Sequence, residues 1–335
     1  MATIKDIAAR TGLSRSTVSR CLSGRGYVSA EARTAIEEAA RELDYQPNSA
    51  AVSLRRGRSA RIAVFVPTTA HSYYATFISG VGEGARRHGY DLLVRQQTDD
   101  QAPLEVQLRE IKRTRLADGA ILASTIAEEA GKEVAALGFP LVACDQVLHR
   151  ERISSVYMDH YRSTIDVLEH LVARGRRSIY VVIADDGHAS NLYREKAAEE
   201  FLQKRVAEGM RIRITCVVEN EDDSVSAGVA LGKRLFELDK VPDAVFTGSD
   251  QLAAGLLLFA GRARVAVPGE LAIVGFDDQS LSEALGLTTV YQPTRKMGRK
   301  AAELLHKLIE TEASGGRAPV ERYRVIHTLR ARATS

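Results

Sequence analysis

Isolated carboxylates stand just after several short apolar segments of this sequence. Asp145 follows Leu-Val-Ala-Cys, Asp250 follows Phe-Thr-Gly-Ser, and Asp277 follows Val-Gly-Phe. Arg194 opens a segment with helical spacing and adds a cation. Carboxylates accept hydrogen bonds from the paired hydroxyls of a polyol, and an arginine fork grips a phosphate or a carboxylate. These residues therefore predict a site for a small polar molecule, such as a sugar or a sugar phosphate.

Other polar side chains share this placement at the ends of apolar runs or the starts of helices. Each of them has a structural alternative, because serine and aspartate also cap helices and turns. The remaining predicted contacts of the small molecule are His71, Tyr73, Ser124 and Asp159.

The sequence lacks the patterns that indicate catalysis or metal binding. The glycine-rich run at 80–84 is not GxGxxG and has no strand leading directly into it, so close packing is its structural explanation. The segment 248–250 is not a GxSxG nucleophile elbow. The eight histidines show no HExxH spacing, and the three cysteines form no CxxC pair. We predict no cofactor, no metal and no catalytic residue, with a sugar- or nucleotide-processing enzyme as the alternative.

Successive helix-capping residues predict three short helices at the N-terminus. Thr3 and Asp6 fit a capping box for the first helix, and Gly12 can end it. Ser14 can cap a second helix, and Ser29 can cap a third. Three short helices around one small core are typical of a helix-turn-helix unit.

The outer face of the second predicted helix carries arginine and serine side chains. Arginine can grip guanine with two hydrogen bonds, and serine bonds to a base edge or a phosphate. Residues 1–61 carry a net charge of +5 and the rest of the chain carries −2. This asymmetry is expected when only the head of a protein meets a polyanion. The predicted DNA contacts of the head are Thr3, Ser14, Arg15, Ser16, Thr17, Ser19 and Arg20.

Three sequence runs resemble the lactose-repressor (LacI) family of bacterial regulators: TIKDIAARTGLSRSTVSRCLSG, YVSAEAR and LDYQPNSAAVSLRRGRS. The likeness is most specific in the first sixty residues and continues across nearly the whole chain. It implies that Arg15 and Ser16, which precede the Thr-Val-Ser-Arg run, read bases in the major groove. Arg20 corresponds to the arginine that ends this run in the family.

A short segment after the head is predicted to form a hinge helix. Asn48 can cap this helix and Gly57 can stop it. A helix below about 12–15 residues is marginal on its own, so we expect this one to form only when something packs on it. In the resembling family, paired hinge helices enter the minor groove and a leucine wedges between base steps. The resemblance implies hinge contacts to DNA by Asn48, Ala51, Leu54 and Arg55.

From residue 61 onward, β-branched runs alternate with helical patterns, which predicts parallel sheets covered on both faces. About 270 residues suit two similar lobes better than a single sheet. The predicted fold is thus an all-α helix-turn-helix headpiece plus an α/β two-lobed effector domain that is periplasmic-binding-protein-like. The expected boundaries are 1–46 for the headpiece, 47–60 for the hinge helix and linker, and 61–335 for the effector-binding and dimerisation domain. Lobe 1 is expected at about 61–158 and 292–321, and lobe 2 at about 159–291 and 322–335.

The resemblance also implies a cleft between the lobes that binds an effector through Asp145, Arg194, Asp250 and Asp277. The stretch from residue 139 to residue 156 is most similar to the fructose-responsive (Cra/FruR) branch of the family. That branch has an arginine where this chain has Gln146. A phosphorylated effector would therefore lose one expected cation.

Together these features predict a cytoplasmic transcription regulator, a repressor, whose affinity for DNA is controlled by a small-molecule effector. We expect it to bind a pseudo-palindromic double-stranded operator as a homodimer and not to associate with membranes. No helical heptads follow Arg330, so no C-terminal tetramerisation helix is expected. A solute-binding protein with the same two-lobed body is the second alternative, but it would need export, and the N-terminus lacks the pattern of a signal peptide.

Overall fold

The computed structural model describes residues 2–22, 26–45, 58–98, 101–124, 126, 128–148, 151–184, 189–219 and 224–335. The chain divides into two compact units, residues 1–59 and residues 60–335. None of the helices within these described ranges is both long and apolar enough to span a lipid bilayer.

The described part of the first unit, the headpiece, contains three helices: α1 (Ile4–Thr11), α2 (Arg15–Leu22) and α3 (Ala30–Glu42). Their inner faces meet in one small apolar core. It consists of Ile7, Val18, Cys21, Ile36 and Ala39. This arrangement confirms the predicted helix-turn-helix unit.

Local signals begin and end the headpiece helices as their sequence predicts. The carboxylate of Asp6 accepts hydrogen bonds from the backbone N–H and the hydroxyl of Thr3, at 2.8 and 2.7 Å. Gly12 takes the left-handed conformation, with φ of 70°, and ends α1. At the start of α3, the hydroxyl of Ser29 accepts a hydrogen bond from the backbone N–H of Ala32 at 3.3 Å.

The second unit, the body, consists of two α/β lobes. Lobe 1 contains β1 (Arg61–Val66), α4 (Ser72–Arg87), β2 (Asp91–Gln96), α5 (Leu104–Thr114), β3 (Gly119–Leu122), α6 (Glu128–Ala136), β4 (Leu141–Cys144), β5 (Ser154–Met158), α12 (Thr294–Ala313) and β11 (Arg322–Val325). Lobe 2 contains α7 (His160–Ala173), β6 (Ser178–Ala184), α8 (Ala189–Ala207), β7 (Arg213–Glu219), α9 (Val225–Phe236), β8 (Ala244–Phe246), α10 (Asp250–Ala263), β9 (Ala272–Asp277), α11 (Ser280–Ala284), β10 (Thr288–Tyr291) and β12 (Thr328–Arg330).

Each lobe is built on a six-stranded sheet. The strand order is β11-β5-β4-β3-β1-β2 in lobe 1 and β12-β10-β9-β8-β6-β7 in lobe 2. Neighbouring strands are parallel, except that β10 and β12 are antiparallel. Strands such as β3 and β4 are continuous apolar runs that are buried on both faces, as parallel strands require. The predicted two-lobed α/β fold is confirmed.

The described chain passes between the lobes in three crossings, which join β5 to α7, β10 to α12 and β11 to β12. The lobe boundaries predicted from the sequence put the last crossing near residue 321. In the structure, however, Arg322 is in parallel register with Ser155, so β11 belongs to the sheet of lobe 1. The last crossing therefore lies between Val325 and Thr328. A four-residue edge strand is too short for its sheet to be recognised from the sequence.

Close helix packing explains the glycine-rich run in α4. A β-carbon on Gly80 would lie 2.2 Å from the carbonyl oxygen of Arg295, and one on Gly84 would lie 2.6 Å from the β-carbon of Ala302. From the other side, a β-carbon on Gly298 would lie 2.4 Å from the carbonyl oxygen of Phe77. These glycines let the backbones of α4 and α12 touch within lobe 1, and they do not form a nucleotide-binding loop.

Candidate functional site

The outer face of α2 presents polar side chains while its inner face anchors the helix. Val18 and Cys21 are buried in the headpiece core. Arg15, Ser16 and Arg20 are exposed. Helical periodicity produces this division, because residues three or four apart lie on the same face. The exposed face has the size and the donor groups that a major groove accepts.

Some predicted DNA contacts also serve the starts of helices. The hydroxyl of Ser14 accepts a hydrogen bond from the backbone N–H of Thr17 at 3.1 Å, and it lies 2.7 Å from the hydroxyl of Ser16. Thr3 bonds to its own capping carboxylate before α1. Ser19 is half-buried on the flank of α2. Arg15, Ser16 and Arg20 are thus the exposed members of the predicted set whose main role is not to begin a helix.

The predicted hinge contacts fall in a segment that the structure does not describe. They are Asn48, Ala51, Leu54 and Arg55. Their assignment to the minor groove stays a prediction from the sequence.

In the body, Asp145 lies at the carboxyl end of β4 and gathers donors from three directions. Its Oδ1 accepts hydrogen bonds from Nε2 of His160 at 2.8 Å and from Nε2 of Gln292 at 3.4 Å. Its Oδ2 accepts a hydrogen bond from the Tyr73 hydroxyl at 3.5 Å. The side chain of Asp145 is 21% exposed, so part of the carboxylate faces solvent. It fits a ligand hydroxyl in addition to its protein donors.

Tyr73, in the first turn of α4, remains a neutral phenol beside this carboxylate. Burial and the negative charge of Asp145 together raise the pKa of Tyr73 well above its ordinary value. A neutral phenol keeps its O–H as a hydrogen-bond donor. The amide of Gln292 donates to the same hydroxyl at 3.3 Å.

Arg194 lies on α8 with its guanidinium against the face of Phe276, 4.0 Å from the ring centroid. Its Nη1 donates to the carbonyl of Gly248 and to the side-chain oxygen of Asn191, each at 3.3 Å. Only 7% of Arg194 is exposed. The flat guanidinium is therefore fixed in orientation, as recognition by a planar fork requires.

Asp277 ends β9 in a left-handed conformation, with φ of 96°. Its Oδ2 accepts a hydrogen bond from Nε2 of Gln279 at 3.4 Å. The side-chain oxygen of Gln279 in turn accepts a hydrogen bond from the hydroxyl of Ser72 in lobe 1. The segment after β9 thus reaches across to the start of α4, and the two lobes meet beside Asp277.

Asp250 differs from the expectation that it faces the cleft. It is fully buried at the start of α10. Thr289 donates to its Oδ1 at 2.6 Å, and the backbone N–H of Gln279 donates to its Oδ2 at 2.7 Å. Burial raises the pKa of Asp250 to about 6, although the hydroxyl and amide donors act in the opposite direction. Its carboxylate positions the segment after β9.

Three other predicted contacts serve local structure. Asp159 caps α7 by accepting a hydrogen bond from the backbone N–H of Arg162 at 2.9 Å. His71 caps α4, where its Nδ1 accepts from the backbone N–H of Tyr73 at 3.2 Å. Ser124 is buried. All three residues lie near the carboxyl ends of strands or beside a crossing, as predicted. The contacts that the structure shows for them, however, stabilise helix starts and loops.

Gln146 supports the loop that contains Ser124. Its amide nitrogen donates to the carbonyl of Ser124 at 2.8 Å, and its amide oxygen accepts from the backbone N–H of Ile126 at 3.2 Å. It is buried, and both of its amide atoms bond to this loop. The residue that replaces the arginine of the fructose-responsive branch therefore has a structural task here.

Reasoning from the sequence missed His160, Gln292 and Gln279. His160 directly follows the first crossing between the lobes, Gln292 lies in the second crossing, and Gln279 follows β9. A signal was available for His160, because it directly follows a predicted cap at the end of a strand. The glutamines carry no charge or motif that marks them in a sequence.

Two kinds of chemical group in the body, the thiol beside Asp145 and possible metal ligands, can be assessed directly. Burial raises the pKa of Cys144 well above its ordinary value, so its thiol stays protonated and is a weak nucleophile. Among the described residues, no group of three or more His, Cys, Asp or Glu side chains is arranged to hold a metal ion. The donors and acceptors fit reversible binding of a polar molecule.

Comparison with known proteins links both units to one family. Residues 3–48 match the model of bacterial regulatory proteins of the lacI family, and residues 168–335 match a periplasmic binding protein-like domain. The chain is 34% identical to the uncharacterized HTH-type transcriptional regulator YkvZ of Bacillus subtilis, over 97% of this chain and 98% of that protein.

Solved structures share the complete fold. The transcriptional regulator CelR in complex with cellobiose is 25% identical over 100% of both chains, with a TM-score of 0.69. The lac repressor dimer bound to operator and the anti-inducer ONPF has a TM-score of 0.86 over 99% of this chain and 98% of its own, at 24% identity, which shows the common fold. On the strength of both matched models and the full-length relative, the chain belongs to the LacI family of bacterial transcription regulators.

Proposed function

We propose that this protein is a transcriptional repressor that binds operator DNA through the exposed face of α2. The observation that carries the proposal is the division of α2 between a buried inner face and an exposed outer face. Val18 and Cys21 hold the helix in the headpiece, and Arg15 and Ser16 project from the side that is open to a groove. Side chains of these two types are suited to base edges and phosphates.

Two copies of the headpiece would read two half-sites of a pseudo-palindromic operator. The lac repressor, which shares the fold, is a dimer on its operator. A homodimer places two recognition helices about one helical turn of DNA apart, or a multiple of it. From the sequence, Leu54 and the neighbouring hinge residues would contact the minor groove between the half-sites.

The effector of this regulator is proposed to be a sugar or a sugar phosphate that binds in the body. Asp145, Arg194 and Asp277 are the direct contacts that we favour, because they combine partly accessible acceptors with a fixed guanidinium. CelR, a structural neighbour, is a complex with cellobiose. Asp250 is proposed to hold the segment that carries Asp277 and not to touch the ligand. The protein acts as a binding protein without enzymatic turnover, and its site of action is the bacterial cytoplasm, where the chromosome lies.

Selection from a randomised double-stranded library tests the DNA-binding half of the proposal. The full-length chain should enrich a pseudo-palindrome, and its affinity for that duplex should fall steeply as salt rises. Fluorescence anisotropy at several salt concentrations measures this slope. Recovery of random sequences after repeated rounds at moderate ionic strength would contradict sequence-specific binding.

Thermal-shift screening with sugars, sugar phosphates and purines tests the effector half, because a ligand that binds only the folded state raises the unfolding temperature. Asp277→Asn keeps a residue that tolerates left-handed backbone but removes the charge, so it should abolish the shift and retain operator binding. Asp239→Asn, at an exposed position of lobe 2, is the matched control and should behave like the parent. An unchanged response of the Asp277 variant would exclude Asp277 as a contact.

A further inference from the structure

Two of the three crossings between the lobes deliver a side chain to the same carboxylate. His160 is the first residue of α7, directly after the first crossing, and it bonds to Oδ1 of Asp145 at 2.8 Å. Gln292 lies in the second crossing and donates to the same oxygen at 3.4 Å. Asp145 itself belongs to lobe 1, whereas α7 packs on α8 and β12 of lobe 2. The shorter of these two bonds therefore joins the lobes.

The imidazole of His160 is held on one face by lobe 2. Its ring lies nearly parallel to the ring of Phe276 in β9, with an angle of 24° and a centroid distance of 5.7 Å. Phe276 also carries the guanidinium of Arg194. A continuous series of contacts thus runs from Asp145 in lobe 1 through His160 and Phe276 to Arg194 in lobe 2.

The polar contacts of His160 are few. The residue is 3% exposed. Within the described chain, its Nδ1 is buried without a hydrogen-bond partner. Such a group costs free energy of desolvation, and a ring that served only to fill space would be more stable as phenylalanine. The bond from Nε2 to Asp145 is the polar interaction that the histidine supplies.

We propose that His160 is a positioning residue: its hydrogen bond couples the orientation of the Asp145 carboxylate to the angle between the lobes. This proposal rests on the proposed function in one respect, namely that hydroxyls of an effector donate hydrogen bonds to Asp145. Ligand hydroxyls compete with His160 for the oxygen lone pairs of that carboxylate. Because His160 begins α7, a shift of its ring is passed directly to the first helix of lobe 2.

Two substitutions separate the hydrogen bond of His160 from its ring. His160→Phe keeps an aromatic face against Phe276 but removes the donor to Asp145. His160→Gln keeps a donor nitrogen at a similar reach but removes the ring. His170→Gln is the matched control, since His170 lies on the same helix and bonds to Ser335 within lobe 2 at 2.8 Å.

The distance between the lobes can be measured in the full-length protein without any ligand. Spin labels on Arg109→Cys in α5 and Lys233→Cys in α9 occupy exposed positions, one in each lobe, in a Cys216→Ser background. Double electron–electron resonance then gives the distribution of distances. We expect a narrow distribution of distances for the parent, the His170→Gln control and His160→Gln. For His160→Phe the distribution should be about twofold wider, because loss of the hydrogen bond between the lobes lets more than one lobe arrangement be populated.

A second substitution approaches the contact from lobe 1. Asp145→Ala should widen the distribution at least as much as His160→Phe does, because it also removes the acceptor of Gln292 and Tyr73. The double variant should be no wider than Asp145→Ala alone, since the bond to His160 is already absent there. Distributions of His160→Phe and Asp145→Ala that superimpose on that of the parent would overturn the proposal. The measurement uses neither operator nor effector, so a failure of the proposed regulatory function would be recognised separately by the loss of operator selection in the unlabelled parent.

Discussion

The carboxylate of Asp250 occupies the space that a side chain on Gly275 would need, since a β-carbon at that position would lie 2.3 Å from Oδ1. Gly275→Ala should therefore push Asp250 away from Thr289 and destabilise lobe 2. Overpacking of this kind costs about 1–3 kcal/mol of unfolding free energy. Urea unfolding followed by circular dichroism measures the loss.

Gly261→Ala is the matched control for this substitution. Gly261 is an exposed helical residue of α10, and a β-carbon there would meet nothing within 4 Å. Alanine in a helix interior is favoured over glycine by about 1 kcal/mol, so the control should be neutral or stabilising. Equal changes in unfolding free energy for the two substitutions would show that the contact with Asp250 does not contribute to stability.

The raised pKa of Asp250 predicts a dependence of stability on pH. Its pKa is about 6 in the folded protein against an ordinary value of 3.8. Between these values the folded protein retains a proton that the unfolded chain has lost, so the unfolding free energy falls as pH rises from about 4 to about 6 and levels off above. This one group accounts for at most about 3 kcal/mol of that change.

Asp250→Asn isolates the effect because an amide does not titrate. The stability of the parent minus that of the variant should decrease between about pH 4 and pH 6 and stay constant at higher pH. Asp239→Asn serves again as an exposed control, whose difference from the parent should not follow this course. A difference for Asp250→Asn that is independent of pH would contradict the assigned pKa shift.

Arg15→Ala tests base recognition by the headpiece. Loss of a bidentate contact to guanine should relax the preference at one position in each half-site and weaken binding to the parent operator by about 1–3 kcal/mol. Arg41→Ala, at an exposed arginine near the end of α3, changes the net charge equally and is the control for electrostatics. Unaltered base preferences of Arg15→Ala in a randomised-operator assay would remove Arg15 from the set of reading residues.

Gln146→Ala should loosen the loop after β3. The substitution leaves the backbone N–H of Ile126 and the carbonyl of Ser124 without the amide that bonds to both, at a cost of about 1–3 kcal/mol for each unsatisfied buried group. Hydrogen exchange at the Ile126 amide should become faster. In the control Gln107→Ala, which removes an amide bonded to Ala102 in another loop, this amide should exchange as in the parent.

The comparison of Asp145 with Asp250 shows what a sequence can and cannot reveal about this site. Both follow short buried strands, so apolar runs and parallel topology correctly place them at the carboxyl ends of the sheets. Their accessibility is decided by residues distant in sequence. Thr289 and Gly275 enclose Asp250, whereas Asp145 remains 21% exposed. Strand-end position therefore identifies candidates, and the neighbouring strands determine which of them can reach a ligand.

The headpiece was predictable in more detail because its signals are local. The cap at Thr3 and the left-handed Gly12 involve residues within a few positions of one another. By contrast, the reason for Gly80 and Gly84 lies in α12, more than two hundred residues further along the chain. A separation of 147 residues likewise hides Gln292, which becomes a partner of Asp145 only when the second crossing returns to lobe 1.

The backbone contact between α4 and α12 has a mechanical consequence for lobe 1. Both helices begin beside the carboxylate of Asp145, one at Ser72 and the other just after Gln292, and both run toward the opposite edge of the sheet, where Ala60 leads into β1. At Gly80 and Gly298 the backbones of the two helices touch directly, so we expect the pair to resist sliding and bending and to behave as one rigid unit. A displacement of the helix ends beside Asp145 would then also move the opposite ends of both helices, near the point where Ala60 leads into β1.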